Sequence, residues 1–424
     1  MRFLKSNTHG KPRISLVLLD WGVRESFHLF DYLRSQSADR ASFETVFIEY
    51  YSRTSEALTK HADMVDTWML LEMPESCYYH KHLMYNAGIA FSRGEIIVFC
   101  DSDAMVRTSF IEAISSAFER HGKIVLHLDQ FRNMRRDFYP FNYPDFDEVT
   151  GEGCINSMKG STVGISDDVD PLHSRNYGAC MCARREDLLA IGGADEAMDY
   201  LGHICGPYDM TFRLFNYGCK EIWHETEFIY HTWHPGQAGF GNYLGPHDGL
   251  HLSLTALDAL SARRTEPYVM NRAIRDLKDG LAPSSDALEA RLIDNRNLVD
   301  WRHTEIESLT RSGRVADAAA YLGNYLGYRI FREENTICAQ LLMSAWPAGH
   351  DWTSYGKSRV LIKGNTRDEV ASIIRTLIPN KVVLLSSIGM VYAYALNVVY
   401  RVAKYINKGI LKSARSVVGR FAKG

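Results

Sequence analysis

The chain has 424 residues, 46% hydrophobic and 23% charged, with 48 Lys and Arg against 51 Asp and Glu for a net charge of −3. That balance excludes a disordered or collagen-like polymer, and the scarcity of long apolar runs excludes a polytopic membrane protein. The length is enough for a sizeable core and two domains.

The first strong signal is Ile14 to Leu19, a continuous apolar run of the kind that fills a parallel strand buried on both faces. The loop Asp20-Trp21-Gly22-Val23-Arg24 follows it. Residues 25 to 37, with Phe27, Phe30 and Leu33 on one side, read as a helix, and Phe43 to Tyr50 as a second strand, which makes a β-α-β unit. A third helix-strand pair runs from His80 through Ser92 and Gly94 into Glu95 to Cys100 and ends in Asp101-Ser102-Asp103. The carboxylates thus stand at the carboxyl end of a strand, where open α/β sheets bind their ligands.

Lys123 to Leu128 reads as the next strand. The connection from there to Asn176, rich in Gly, Asp and Tyr, is too long for a bare turn and reads as a substrate-binding or lid segment. Tyr177 to Ala183 and Glu227 to Trp233 read as strands, Arg185 to Ala190 and Asp209 to Tyr217 as helices. Beyond His247 the apolar spacing turns helical over 251–263, 285–310, 314–328 and 367–378, with Pro283 to Asp286 as linker and helix cap. The expected division is an α/β domain over 1–247, a helical domain over 248–380 and a tail over 381–424.

Eight Cys are scattered without a C-x-x-C pair, which points to reduced thiols in the cytoplasm. Cys180 and Cys182 share a strand face, but no second pair accompanies them to complete a metal site. The first residues lack the apolar stretch of a signal peptide.

The tail carries charge of one sign. From Val370 to Gly424 there are nine Lys or Arg and no Asp or Glu, so the first 369 residues carry −12 beneath the overall −3. A basic tail suits an anionic surface, and the acidic remainder turns the choice from nucleic acid to membrane phospholipid. Residues 382 to 400 are uncharged for nineteen positions, near the minimum for a span, but include Ser386, Ser387 and Asn397. Drawn as a helix, the next segment puts Arg401, Lys404, Lys408, Lys412 and Arg415 on one side and Val402, Ile406, Ile410, Val417 and Phe421 on the other. That geometry fits an interfacial helix on anionic lipid, at the inner face of the cell membrane. The alternative is a helix packed on its own domain.

Asp101 and Asp103, two carboxylates at one strand tip, suit a hard divalent cation, Mn or Mg, that shares its remaining sites with phosphate oxygens. The run from Asn86 through Gly88, Gly94 and Glu95 to Asp103 resembles the inverting, nucleotide-sugar-dependent glycosyltransferases of family two. Their GT-A fold, a Rossmann-like mixed sheet, carries N-x-G-x-x-x-A/S-x-G-E-x-I-x-F-x-D-x-D. The resemblance covers residues 11 to 247. It implies nucleotide-sugar contacts at Asp20, Glu49, Asn86 and Asp101, and metal ligation by Asp101 and Asp103. It also implies a His ligand from a late segment, here His234 or His231 in Tyr230-His-Thr-Trp-His-Pro235.

Gly192-Gly-Ala-Asp-Glu196 is similar to that family's Gly-Gly-Phe-Asp-Glu, and Asp209 to Gly218 to its D-L-x-x-R-L helix. Where the family carries Glu-Asp before that helix, this chain reads Gly206-Pro207-Tyr208-Asp209. Asp209 is then the nearest carboxylate to act as general base, or else a helix N-cap, with Asp195, Glu196 and Asp199 as rivals. The activity implied is transfer of a sugar from a nucleoside diphosphate to a hydroxyl of a glycan or lipid-linked acceptor, with inversion, through an oxocarbenium-like transition state. Two other readings stand beside it. One is a non-catalytic nucleotide- or glycan-binding module that lost its base. The other, a nucleotidyltransferase, calls for a Gly-rich phosphate loop that Asp20 to Arg24 does not supply.

Overall fold

The structure is a computed structural model. It describes residues 1–7, 10–75, 79–164, 180–196, 200, 207–235, most of 256–288 and short segments within 321–372. The chain divides into two compact units, 1–320 and 321–424.

In the first unit, β1 (Arg2–Ser6) is an exposed edge strand, and β2 (Ile14–Asp20) is buried at all of its positions, as its apolar run requires. The helix α1 (Leu29–Arg34) is shorter than the 25–37 expected. β3 (Phe43–Tyr51), α2 (Glu56–Thr59), β4 (Thr67–Met73), α3 (Lys81–Phe91) and β5 (Ile96–Cys100) follow. Then come β6 (Met105–Val106), α4 (Phe110–Arg120), β7 (Ile124–His127), β8 (Gln130–Asn133), α5 (Phe146–Thr150), β9 (Ser157–Met158) and β10 (Ser161–Thr162). The unit continues with β11 (Cys180–Arg184), α6 (Arg185–Ala190), α7 (Tyr208–Asn216), β12 (Lys220–Trp223), β13 (Ile229–Thr232) and α8 (Arg272–Lys278).

Eight strands form one sheet in the order β1-β4-β3-β2-β5-β11-β7-β12. The central β4, β3, β2 and β5 run parallel; β11 enters antiparallel between β5 and β7. This is the α/β, Rossmann-like mixed sheet expected of a GT-A layout. A second sheet, β6-β13-β8, carries its own small core of Met105, Phe131, Val149, Phe228 and Tyr230. The segment after β7, expected as a substrate-binding or lid segment, is therefore built structure in its first part. Asn133 Nδ2 donates to the carbonyls of Val149 at 3.0 Å and Glu152 at 2.8 Å, which ties α5 to β8.

The glycines of the sequence motif are spacers between layers. A Cβ on Gly88 would lie 2.4 Å from Val17 Cγ1, and one on Gly94 2.6 Å from the Ser15 backbone nitrogen. They let α3 and the turn before β5 press directly onto β2. Overpacking at such a point costs about 1–3 kcal/mol.

In the C-terminal half the structure differs from the expected layout at two places. The first unit runs past residue 247: α8 packs against α3 and α6, and Val269 and Asn271 bond to Asp195 and Glu196. The second unit contains a four-stranded antiparallel sheet, β14 (Tyr321–Tyr325), β15 (Tyr328–Glu333), β16 (Thr336–Leu341) and β17 (Leu361–Gly364). It replaces the end of the helix expected over 314–328 and breaks the all-helical reading of 248–380. Gly323 and Gly327 weaken a helix there, and the Tyr-, Ile- and Phe-rich stretch favours strands. The tail from 381 onward lies outside the described residues. Among the described residues no helix is long and apolar enough to cross a membrane.

Candidate functional site

The carboxyl ends of β2 and β5 meet the start of α3 around a shallow depression lined by Leu19, Trp21, Arg24, Lys81, Tyr85 and Asp101. Trp21 stacks on Tyr79 with ring centroids 4.6 Å apart, and Lys81 Nζ lies 5.6 Å from the Trp21 ring and 5.7 Å from that of Tyr85. Aromatic faces and cations lining one hollow suit a flat, anionic ligand.

Asp103 is the centre of the polar side of the site. Its Oδ1 lies 3.6 Å from His231 Nε2 and its Oδ2 3.3 Å from His234 Nε2. One ligand atom from each of the three lies within 4.8 Å of the others. His231 comes from β13 and His234 follows two residues after it, where the chain has left the strand. On an extended strand the two rings would face opposite sides; the departure brings their centroids to 5.2 Å. Burial pushes His234 down to about 4, so its imidazole is neutral at physiological pH, as ligation requires. Asp103 is held well below the usual carboxylate range: burial opposes this, but Arg24 and His231 outweigh it.

Arg24 forks across both carboxylates of the D-x-D. Its Nη2 lies 2.6 Å from Asp101 Oδ1, and its Nη1 pairs with Asp103 Oδ1. Asp20 fixes the loop that carries it, accepting from the backbone N–H groups of Gly22 at 3.0 Å, Val23 at 3.1 Å and Arg24 at 3.2 Å. Leu29 N donates to the Ser102 carbonyl at 3.2 Å and so anchors the turn between the two carboxylates. His28 stacks on Phe141 at 3.5 Å, and burial, opposed by Asp103, drives its imidazole down to about 3. Arg132, on β8 opposite His231, has a buried Nε with no hydrogen-bond partner among the described residues.

The donor set of one carboxylate and two imidazoles fits a divalent ion that accepts both oxygen and nitrogen. Asp101 belongs to the same cluster through Arg24 but is not among the three grouped ligands.

The remaining expected site residues are placed differently. Glu49 lies beside Asp20 in strand register; it accepts from Ser55 N and Trp68 Nε1, each at 2.6 Å. Burial pushes its carboxyl up to about 7, despite those two donors. Asn86 is fully buried and faces the 194–196 segment. Its Nδ2 donates to the Ala194 carbonyl and to Glu196 Oε1, both at 2.9 Å, and its Oδ1 accepts from Ala194 N at 2.8 Å.

Asp209 is not exposed at all. Its Oδ2 lies 2.5 Å from Arg213 Nη2 and accepts from Asp195 N at 3.1 Å. Burial alone would raise its carboxyl, but Arg213 holds it below the ordinary value. A buried, paired carboxylate is poorly placed to take a proton from an acceptor, and the pairing with Arg213 gives Asp209 a structural use of its own. It is not the helix N-cap, since Pro207 is the capping residue. Asp195 and Glu196 are also fully buried: Asp195 Oδ1 accepts from Val269 N at 2.9 Å, and Glu196 Oε1 from Asn271 Nδ2 at 2.6 Å. Asp199 lies outside the described residues. Cys180 and Cys182 have their sulfurs 4.0 Å apart in the core, away from the three grouped ligands.

Sequence reasoning passed over Arg24, Trp21, Lys81, His28 and Arg132. Arg24 carried the clearest signal, a cation in the loop after a buried strand of an α/β sheet.

No protein-family model and no curated protein matches the chain. Among solved structures, residues 1–349 of S. aureus TarS in complex with UDP-GlcNAc align over 68% of this chain and 72% of that one, at 13% identity and a TM-score of 0.38. The mannosyltransferase PcManGT from Pyrobaculum calidifontis, in complex with GDP-Man and Mn2+, aligns over 73% and 76% at 14% identity and a TM-score of 0.34. A mycobacterial protein aligns over 60% and 76% at 16% identity and a TM-score of 0.35. Likeness at this level assigns no role to any residue, and the roles proposed below come from the side chains themselves.

Proposed function

We propose that this chain is a metal-dependent glycosyltransferase that moves a sugar from a nucleoside diphosphate to an acceptor hydroxyl. The observation that carries the reading is the meeting of Asp103, His231 and His234, with Asp103 paired to Arg24, a residue that also lines an aromatic and basic depression at the strand ends. Trp21, Lys81 and Tyr85 hold the nucleotide side of the donor, and Glu49 and Asp20 shape the loops behind it. Asp103, His231 and His234 hold the cation, with Asp101 beside them. When bound, a Mn ion supplies Lewis-acid stabilisation of the charge that grows on the departing diphosphate.

Inversion requires a carboxylate on the opposite face of the sugar. With Asp195, Glu196 and Asp209 taken up in the core, Asp199 is the member of the expected set that inherits the general-base role. The acceptor is a glycan or lipid-linked hydroxyl, and the basic tail would bring the enzyme to an anionic membrane surface on the cytoplasmic side.

The test is release of nucleoside diphosphate from UDP-GlcNAc and GDP-Man, with Mn2+ and with excess chelator. Release that depends on metal and falls by about 10² or more in Asp199→Asn supports both assignments. Full release in chelator contradicts the metal role. Metal-dependent donor binding without any release favours the non-catalytic binding module.

A further inference from the structure

Resting on the metal-centre reading above, we propose that Arg24 is the internal counter-ion of this site. Its guanidinium holds Asp103 until a divalent cation arrives, yields Asp103 Oδ1 to that cation, and turns to the diphosphate of the donor.

The geometry sets the competition. His231 Nε2 faces Asp103 Oδ1 and His234 Nε2 faces Oδ2, so an ion held between the two imidazoles and across the carboxylate engages Oδ1. That oxygen is the one Arg24 Nη1 occupies. A guanidinium and a doubly charged ion on one oxygen repel each other, so each weakens the other's hold on it.

Only the side chain has to move. Asp20 pins the backbone of residues 22–24 through three hydrogen bonds, so the anchor of Arg24 stays fixed while its long side chain changes rotamer. The hollow offers a destination, because Arg24 already lines it with Lys81 and its buried Nε has no hydrogen-bond partner among the described residues. A planar fork released beside Lys81 is suited to grip phosphate oxygens in two places. Charge accounts for the coupling. Two carboxylates and one guanidinium leave one negative charge, a doubly charged ion turns that into one positive charge, and an anionic diphosphate offsets it.

The test uses the full chain and Mn2+ alone, with free Mn2+ read by electron paramagnetic resonance, for wild type, Arg24→Ala and Arg24→Lys. Removing a competitor should tighten Mn2+ binding, by about tenfold in Arg24→Ala. Arg24→Lys, a point charge unable to bridge both carboxylates, should fall between that variant and wild type. A merely structural Arg24 gives the opposite sign, since its loss would loosen the site. Inorganic pyrophosphate added to the Mn2+-loaded protein should bind Arg24→Ala more weakly than wild type, and equal affinity overturns the phosphate-gripping half of the proposal. Mn2+ binding unchanged or weaker in both variants overturns the counter-ion role while leaving the metal centre standing. If Arg24→Ala does not fold, Arg24→Lys decides alone: a gain in Mn2+ affinity supports the proposal and none overturns it. Failure of wild type and variants alike to bind Mn2+ overturns the metal centre and this proposal with it.

Discussion

Asp209 and Arg213, one helical turn apart on α7 and both fully buried, close a private ion pair with Nη2 2.5 Å from Oδ2. Arg213 Nη1 also donates to the Ile191 carbonyl at 2.6 Å, and its Nη2 to that of Gly193. The pair thereby clamps the Gly192-Gly193 turn to α7, an architectural use of a carboxylate that the motif marks as functional. Asp209→Asn should therefore act on stability. Leaving Arg213 buried without its charge partner costs about 3–5 kcal/mol. The thermal midpoint should drop steeply, while turnover per folded molecule should fall far less than the ~10² expected on loss of a general base. A stable variant with turnover abolished would restore the catalytic role.

Asn86 makes the same point on α3. Its amide serves both the carbonyl and the N–H of Ala194 and one oxygen of Glu196. Asn86→Ala strands buried polar groups at about 1–3 kcal/mol each. Urea midpoints should fall with donor KM little changed; a raised KM at unaltered stability would instead make Asn86 a ligand contact.

Among the metal ligands, His231→Ala and His234→Ala should each weaken Mn2+ binding by more than the ~10–100-fold that loss of an outer-shell partner causes. Mn2+ titration followed by calorimetry would check this. Undiminished affinity in either variant removes that imidazole from the centre.

Glu49 gives a pH signature with a defined sign. In the folded chain burial keeps its carboxyl protonated up to about pH 7, against an ordinary value of 4.5. The folded state thus binds more protons than the unfolded one between those values, and stability falls as pH rises through that window. Glu49→Gln removes the titration. Thermal midpoints of wild type relative to this variant should decline from about pH 4.5 to about pH 7 and then level; a constant gap across the range contradicts the assignment.

The elements legible in the sequence were those in which a local pattern and burial coincide. The apolar run of β2, the helices read over Arg185 to Ala190 and Asp209 to Tyr217, and the Gly-strand-carboxylate sequence ending in Asp103 all lie close to where they were read. β1 was silent because four of its five residues are exposed, so no apolar alternation marks it. Arg24 was passed over because it meets Asp101 across 77 positions, a distance no local pattern carries. Asn86 and Asp209 show a different difficulty. Motif membership does not distinguish a side chain that faces a ligand from one that ties the site's frame together. For Asp209 the i, i+4 spacing to Arg213 was nevertheless a visible warning of an internal pair.

The central claim is that Asp103, His231 and His234 hold a divalent cation beside a nucleoside diphosphate. Anomalous scattering at the manganese edge, from crystals of the full chain grown with Mn2+ and UDP, tests it most directly. The account predicts one strong peak in contact with an Asp103 carboxylate oxygen and the Nε2 atoms of His231 and His234, with the diphosphate bound against it. A peak elsewhere, or bound UDP with Arg24 still on Asp103 and no metal among the three side chains, would contradict it.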